Sequence, residues 1–203
     1  MPKVKVPKKS TAIDMTAMCD VAFLLLTFFI LTSQFKPNEP LPVDTPASIV
    51  KIKLPEVDVA TITVGKGKIF FSVIGQEIRS QALEHMGERY GIKFSLDEKK
   101  RFAVAQSFGV AIHQMKNYIS MSEDQRNKSG FQTGIPVDSA DNQLYAWIIA
   151  ARQATKQVNN TDLKIAIKGD QEEEYPTIKK VIDVLQRQNI NKFSLITDLK
   201  TID

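Results

Sequence analysis

The sequence predicts a single N-terminal transmembrane helix followed by an α+β domain, in which a small mixed sheet carries helices on one face and has a helical insertion. Three observations lead to this fold class. Residues 15–35 form an apolar run with one charge. Residues 61–73 and 163–167 alternate in the manner of strands. Residues 144–158 and 175–188 each have one apolar helical face.

Composition excludes several classes of protein. The 203 residues are 43% hydrophobic and 25% charged, which suits neither a disordered chain nor a multi-span transporter. The net charge is only +4, and no basic stretch interleaved with aromatic residues follows residue 60, so no nucleic-acid binding is expected. With one cysteine, Cys19, and two histidines, His85 and His113, the chain predicts no metal site and no cofactor. It has no Ser/His/Asp set and no phosphate-binding glycine loop, so we expect no enzyme.

Residues 1–14 are predicted to be a cytoplasmic basic tail and residues 15–35 a transmembrane helix. A helix of this length is about 30 Å long, which is enough to cross the hydrocarbon core of a bilayer. Four lysines precede the run and Lys36 follows it, so the positive-inside rule places the N-terminus in the cytoplasm and the later residues outside it. A cleavable signal peptide is the alternative. Asp20 within the run and the lack of a small-residue cleavage site after it favour an uncleaved anchor.

Asp20 is the predicted proton-carrying residue. A carboxylate within a membrane span costs about 2.5–3.5 kcal/mol on insertion scales, so its presence indicates a function. Burial disfavours the charged form, so this carboxyl group is suited to taking up and releasing a proton. Helical spacing places Thr16 and Thr27 on the same stripe, and the rest of the helix surface is almost wholly apolar, which predicts an enclosing protein partner. The alternative is a hydrated Asp20 near the helix start.

Residues 36–58 are predicted to be a proline-rich linker. Five of the nine prolines fall within residues 36–55, a composition that favours an extended and semi-rigid spacer. Apolar residues alternate with lysines and end in proline, which is the pattern of a strand with one apolar face: Val50, Ile52, Leu54 and Pro55. This strand could pair with its dimer mate or with a partner's linker, or it could be an ordinary edge strand of the domain.

Residues 59–203 are predicted to be the α+β domain. Its hairpin turns at Gly65 and Gly67, and residues 193–197 supply the last strand. Residues 172–174 are acidic because they precede a helix whose dipole favours negative charge there, and this explanation is preferred to a metal or partner site.

The ends of two helices in this domain are predicted from single residues. Asp141 is expected to be the N-cap of the helix at residues 144–158. Asn189 and Asn191 flank the end of the helix at residues 175–188, since asparagine tolerates the left-handed conformation needed there.

Residues 83–139 are predicted to be a helical insertion beside the sheet. Gly91 ends a first helix there, and Ser95 and Glu98 form a capping box that begins a second. Residues 121–130 are polar and predict a loop. The apolar and aromatic residues of this region are expected to pack in a core, and the two histidines to be structural or surface residues.

The apolar run and its flank resemble the ExbD/TolR family. The segment IDMTAMCDV at residues 13–21, followed by FLLLTFFILT, is similar to the family signature that ends in one intramembrane aspartate. Residues 50–55 resemble the alternating segment that ends in Leu-Pro, and residues 163–197 resemble the closing strand–helix–strand unit. Ala17 departs from a frequent proline and Asp14 from a neutral polar residue, and the insertion has no counterpart in the short members.

The resemblance implies a homodimer whose helices lie inside a pentameric ring of an ExbB/TolQ-like multi-span partner. The membrane implied is the bacterial inner (cytoplasmic) membrane, with the α+β domain in the periplasm. Protons would pass by way of Asp20, and force would act on a TonB- or TolA-like protein to drive outer-membrane nutrient transport. TolR-like envelope, gliding and secretion motors remain open within this class. A passive membrane-anchored periplasmic binding module is the alternative outside it.

Overall fold

The computed structural model describes residues 15–33, 41–48, 57–127, 130–138, 141–196 and 198–199. The chain divides into two compact units, Met1–Asn38 and Glu39–Asp203. The described part of the first unit is helix α1, Met15–Thr32, and Ser33.

The second unit contains six strands, six α-helices and one 3-10 turn among the described residues. In chain order they are β1 Ala47–Ser48, β2 Val59–Gly65, β3 Lys68–Val73, α2 Gln76–Tyr90, α3 Leu96–Val104, the 3-10 turn Ile112–Gln114, α4 Met115–Ser120, α5 Glu123–Asn127, α6 Gln143–Asn159, β4 Lys164–Gly169, α7 Tyr175–Arg187, β5 Phe193–Ile196 and β6 Asp198–Leu199.

The main sheet is mixed and has the strand order β3-β2-β4-β5. Strands β2 and β3 form the predicted antiparallel hairpin, whereas β4 lies parallel to both β2 and β5. Lys66 and Gly67, the two central residues of the hairpin turn, both have positive φ, +53° and +69°. That pair of conformations is the one that matches the twist of adjoining strands. The prediction is correct for Gly67 and wrong for Gly65, which lies in β2 and is not among the described residues with positive φ.

One face of the main sheet is apolar and is covered by helices, which confirms the predicted fold class. Ala60, Ile62 and Val64 on β2 join a single buried cluster with residues of α2, α6 and α7. The alternate residues of β2, Thr61 and Thr63, point to the other face and are half-buried. Three helices thus cover the apolar face, where two were expected.

The predicted insertion does not form a separate lobe. Its nominal start at residue 83 falls inside α2, and Phe102, Met115 and Ile119 belong to the same buried cluster as the sheet. The region after α2 extends this core past β3, the edge strand of the sheet.

Three helix ends agree with the sequence. Gly91 ends α2 in the left-handed conformation, and Ser95 and Glu98 make both hydrogen bonds of the predicted capping box. Asn189, with φ of +57°, follows the end of α7. Asn191 is not among the described residues with positive φ.

Two local predictions are wrong. The N-cap of α6 is Asn142, whose side chain accepts a hydrogen bond from the N–H of Tyr145. Asp141 instead accepts bonds from the Tyr90 hydroxyl and the Gln143 amide, so its carboxylate is used in tertiary contacts. The predicted loop at residues 121–130 contains the short helix α5, because Glu123 and Asp124 favour a helical first turn.

Candidate functional site

Helix α1 carries the residues of the predicted proton path. It has 18 residues, none of them buried, and it is long and apolar enough to cross a membrane by length and composition. At 1.5 Å per residue it is about 27 Å long. Residues 34 and 35 of the predicted span lie outside the described residues.

The three predicted polar residues lie on one side of α1. At about 100° per residue, Thr16, Asp20 and Thr27 fall within about 40° of one another around the helix axis. The Thr27 hydroxyl donates a hydrogen bond to the carbonyl oxygen of Leu24, at 2.9 Å. Its oxygen therefore presents a hydrogen-bond acceptor to whatever lies beside this stripe.

The remainder of the α1 surface is strongly apolar and exposed. Phe23, Phe29 and Ile30 each show about two-thirds of their surface, and Leu31 shows 85%. Helix α1 alone leaves these side chains without an apolar environment, so it needs lipid or protein around it. Asp20 is exposed as well, so the same surroundings must also offer polar groups or water to its carboxyl group.

The predicted partner-binding residues Val50, Ile52, Leu54 and Pro55 lie outside the described residues. An earlier part of the predicted linker, Leu41–Ser48, is described, and we call it the strap. The strap belongs to the second unit.

The strap packs at the end of the main sheet. Leu41 is 8% exposed, and a Cβ built on Gly65 would lie 3.2 Å from Leu41 Cδ2 and 2.6 Å from Val43 Cγ1. The N–H of Gln171 donates to the Asp44 carbonyl at 2.7 Å. Strand β1, at the end of the strap, pairs in parallel with β6. The sequence did not predict these contacts, because the proline content of residues 36–55 indicated a spacer.

The acidic run before α7 has a specific contact. Glu173 accepts a hydrogen bond from the N–H of Gly67 at 3.0 Å, which ties the hairpin turn to the start of α7. Among the described residues no group of three or more His, Cys, Asp or Glu side chains is arranged to hold a metal ion. His85 contacts Gln157 and Glu88.

The shifted pKa values belong to the second unit. Burial, and then the hydrogen bond to Asp141, raise the pKa of Tyr90 to about 12. Burial also raises the pKa of Tyr118, although the nearby Arg126 guanidinium opposes this shift. Burial lowers the pKa of Arg79. Tyr90 and Tyr118 each make a hydrogen bond to another part of the second unit, to Asp141 and to the Ser107 carbonyl.

Comparison with known protein families identifies the family of the chain that carries this exposed helix. A family described as "Biopolymer transport protein ExbD/TolR" matches residues 7–200, which is nearly the whole chain. The chain belongs to the ExbD/TolR family. No curated protein and no solved structure matches it.

Membership of the ExbD/TolR family gives the chain its general role. ExbD/TolR proteins are non-enzymatic, energising subunits of biopolymer transport that work with partners at a membrane. The described residues contain one candidate span, near the N-terminus, and together with the family this indicates a single-pass membrane protein. The matched range begins before the insertion and ends after it.

Proposed function

We propose that this ExbD/TolR protein is the proton-carrying subunit of an ExbB–ExbD-type motor in the bacterial inner membrane. The observation that carries the proposal is Asp20, the one carboxylate of a largely apolar helix that has no buried residue. Such a helix is suited to an enclosing protein partner, within which the Asp20 carboxylate can take up and release a proton. The coupling ion is the proton, and no other cofactor takes part.

The coupling step is a change in the charge of Asp20. A charged Asp20 is held by a polar group of the surrounding ring, whereas a neutral Asp20 can pass apolar surface. One proton crossing about 150 mV releases ~3.5 kcal/mol, at ~2.3 kcal/mol per 100 mV. Because ~1.4 kcal/mol corresponds to a factor of ten, each proton can bias a two-state movement several-hundred-fold.

The proposed partners are those that the resemblance to ExbD/TolR implies, and the exposed apolar surface of α1 supports an enclosing partner in the membrane. The enclosing ring is a pentamer of an ExbB/TolQ-like multi-span protein, and two copies of this chain enter it as a homodimer. The N-terminus is cytoplasmic and the second unit periplasmic. Residues 50–55 bind a TonB-like protein, whose movement drives nutrient transport at the outer membrane.

A TolR-like role, in which a TolA-like protein receives the force, is the alternative within the family, since membership of ExbD/TolR supports both. The identity of the protein that receives the force distinguishes the two roles. Crosslinking from residues 50–55 in cells, followed by mass spectrometry, is expected to capture a TonB-like protein. Capture of a TolA-like protein would establish the second assignment.

The proton-carrying role is tested by Asp20→Asn in the complex with its multi-span partner. We expect the complex to assemble but to lose proton uptake in vesicles carrying an imposed proton gradient. Asp20→Glu retains an acid and is expected to keep part of the flux. Asp14→Asn, which removes an acid just outside the apolar run, is the matched control.

Two results would contradict the proposal. One is undiminished proton uptake in the Asp20→Asn complex. The other is unchanged outer-membrane transport in cells that carry this variant alone, which a passive membrane-anchored binding module predicts.

A further inference from the structure

The main sheet has two edge strands, β3 and β5, and the described residues cover their outer edges to different extents. An edge strand presents unpaired N–H and C=O groups, which can accept a strand from another molecule. Among the described residues, β5 pairs with β4 alone. The outer edge of β3, in contrast, is occupied by two loops of the insertion.

The first loop meets β3 at Phe108. The N–H of Phe71 donates to the Phe108 carbonyl at 2.9 Å, and the N–H of Phe108 donates to the Phe71 carbonyl at 3.0 Å. These two bonds make one antiparallel bridge of the kind that a neighbouring strand would form. The second loop meets β3 at Ile135, whose N–H donates to the Ile69 carbonyl at 2.8 Å.

The two loops are also bonded to each other. The N–H of Gly134 donates to the carbonyl of Gly109 at 2.8 Å. The N–H of Gly109 donates to Oε1 of Gln132 at 2.8 Å, and Nε2 of Gln132 donates to the Arg126 carbonyl at 3.0 Å. Because Gln132 is buried, these bonds are shielded from water, and the two loops approach β3 as one unit.

One glycine in each loop permits the close approach to β3. A Cβ on Gly109 would lie 2.6 Å from two atoms of the Phe70 ring. A Cβ on Gly134 would lie 3.1 Å from the backbone nitrogen of Ile69, and Gly134 also has φ of +98°. A larger residue at Gly109 must shift the Phe70 ring or the loop, and one at Gly134 must shift the loop or β3 by a few tenths of an ångström.

We propose that the insertion acts as an intramolecular cap on β3, which prevents a strand of a second copy of this chain from adding there. Strand β3 reads KIFFSV, an apolar segment rich in strand-forming residues and without proline, which is the composition of a segment that self-associates when its edge is open. A sheet with one open edge stops at a pair, whereas a sheet with two open edges can extend without closing. The cap therefore closes one of the two edges along which the main sheet could extend.

The test uses the full-length protein in detergent micelles and substitutions of the loop glycines. Gly109→Val places a wedge against the strand, and Gly134→Ala is a milder second variant. Gly130→Ala is the matched control, since Gly130 lies in the same region with φ of +104° but a Cβ there meets nothing within 4 Å. Fluorescence of Trp147, the only tryptophan, checks that the fold is retained.

Hydrogen exchange at the Phe71 amide measures opening of the cap, and sedimentation measures assembly. In Gly109→Val, and more weakly in Gly134→Ala, we expect exchange to rise at least about tenfold, which corresponds to ~1.4 kcal/mol of lost protection. We also expect concentration-dependent species larger than those of the wild type, whereas Gly130→Ala behaves as the wild type.

Faster exchange without larger assemblies would overturn the proposal, because an open edge would then attract no second copy. Unchanged exchange in both variants would overturn it too, since the two loops would not be what protects β3. If Gly109→Val does not fold, Gly134→Ala decides between these results.

Discussion

Gly65→Ala tests whether the strap packs on the end of the main sheet. The added methyl group would lie 2.6 Å from Val43 Cγ1, about 1 Å inside an ordinary carbon–carbon contact of roughly 3.5–4.0 Å. Overpacking of this kind costs about 1–3 kcal/mol. The lost flexibility of glycine in the unfolded chain returns roughly 0.4–1 kcal/mol. We therefore expect the free energy of unfolding to fall by about 1–2 kcal/mol.

Val43→Ala removes the atom that the new methyl group would meet. Val43 is half-buried, so this substitution alone is expected to cost about 1 kcal/mol. In the double variant the overlap is gone, so the two effects should fall short of their sum by about 1 kcal/mol or more.

Urea unfolding of the full-length protein in detergent micelles provides the measurement. Trp147, the only tryptophan, is 1% exposed on α6, so its fluorescence reports the second unit. If the double variant equals the sum of the single variants, or if Gly65→Ala is as stable as the wild type, the strap does not pack against Gly65.

Three further predictions use the same unfolding measurement. Tyr90→Phe removes the 2.8 Å bond to Asp141 and is expected to lower the free energy of unfolding by about 0.5–1.5 kcal/mol. Because the pKa of Tyr90 is raised from its ordinary 10.0 to about 12, the unfolded chain releases this proton first, and the wild type loses stability as the pH rises from 10.0 to about 12. The Tyr90→Phe variant should not show this part of the loss of stability at alkaline pH. If its free energy of unfolding falls with pH as steeply as that of the wild type, the pKa of Tyr90 is not the cause. Ser95→Ala breaks the capping box with Glu98 and should cost about 1 kcal/mol; an unaltered midpoint would mean that α3 does not depend on its cap. Asn189→Ala should cost about 1–2 kcal/mol, because the residue has φ of +57°, whereas Asn189→Gly should not be destabilising; equal losses would argue against a left-handed residue there.

The sequence was sufficient for most features that depend on neighbouring residues, although it did not predict the short helix α5. The apolar run of α1 is visible as composition, and the capping box of Ser95 and Glu98 closes over three residues. The hairpin, its turn residue Gly67 and the left-handed Asn189 were predicted because glycine and asparagine fit those conformations, whereas the positive φ at Lys66 was not predicted. Asp20 was visible for the same reason, since a charge in an apolar run stands out by position alone.

Features that depend on distant residues were not predictable. Phe108 and Ile135 pair with β3 although neither lies in an alternating segment, so the cap left no periodic signal. Asp141 and Asn142 are both good N-cap residues, and the choice between them is made by Tyr90, which lies on another helix. The strap contacts the end of β2, the start of the turn after β4 and β6, all of which are distant from it in the chain.

The protonation state of Asp20 in the working complex is the most direct test of the proton-carrying role. Infrared difference spectroscopy of the complex in lipid vesicles can detect the carbonyl stretch of a protonated carboxylic acid. Under an imposed proton gradient we expect this band to appear and disappear with turnover in the wild type and to be missing in Asp20→Asn. A carboxylate at position 20 that stays ionised throughout turnover would contradict the account.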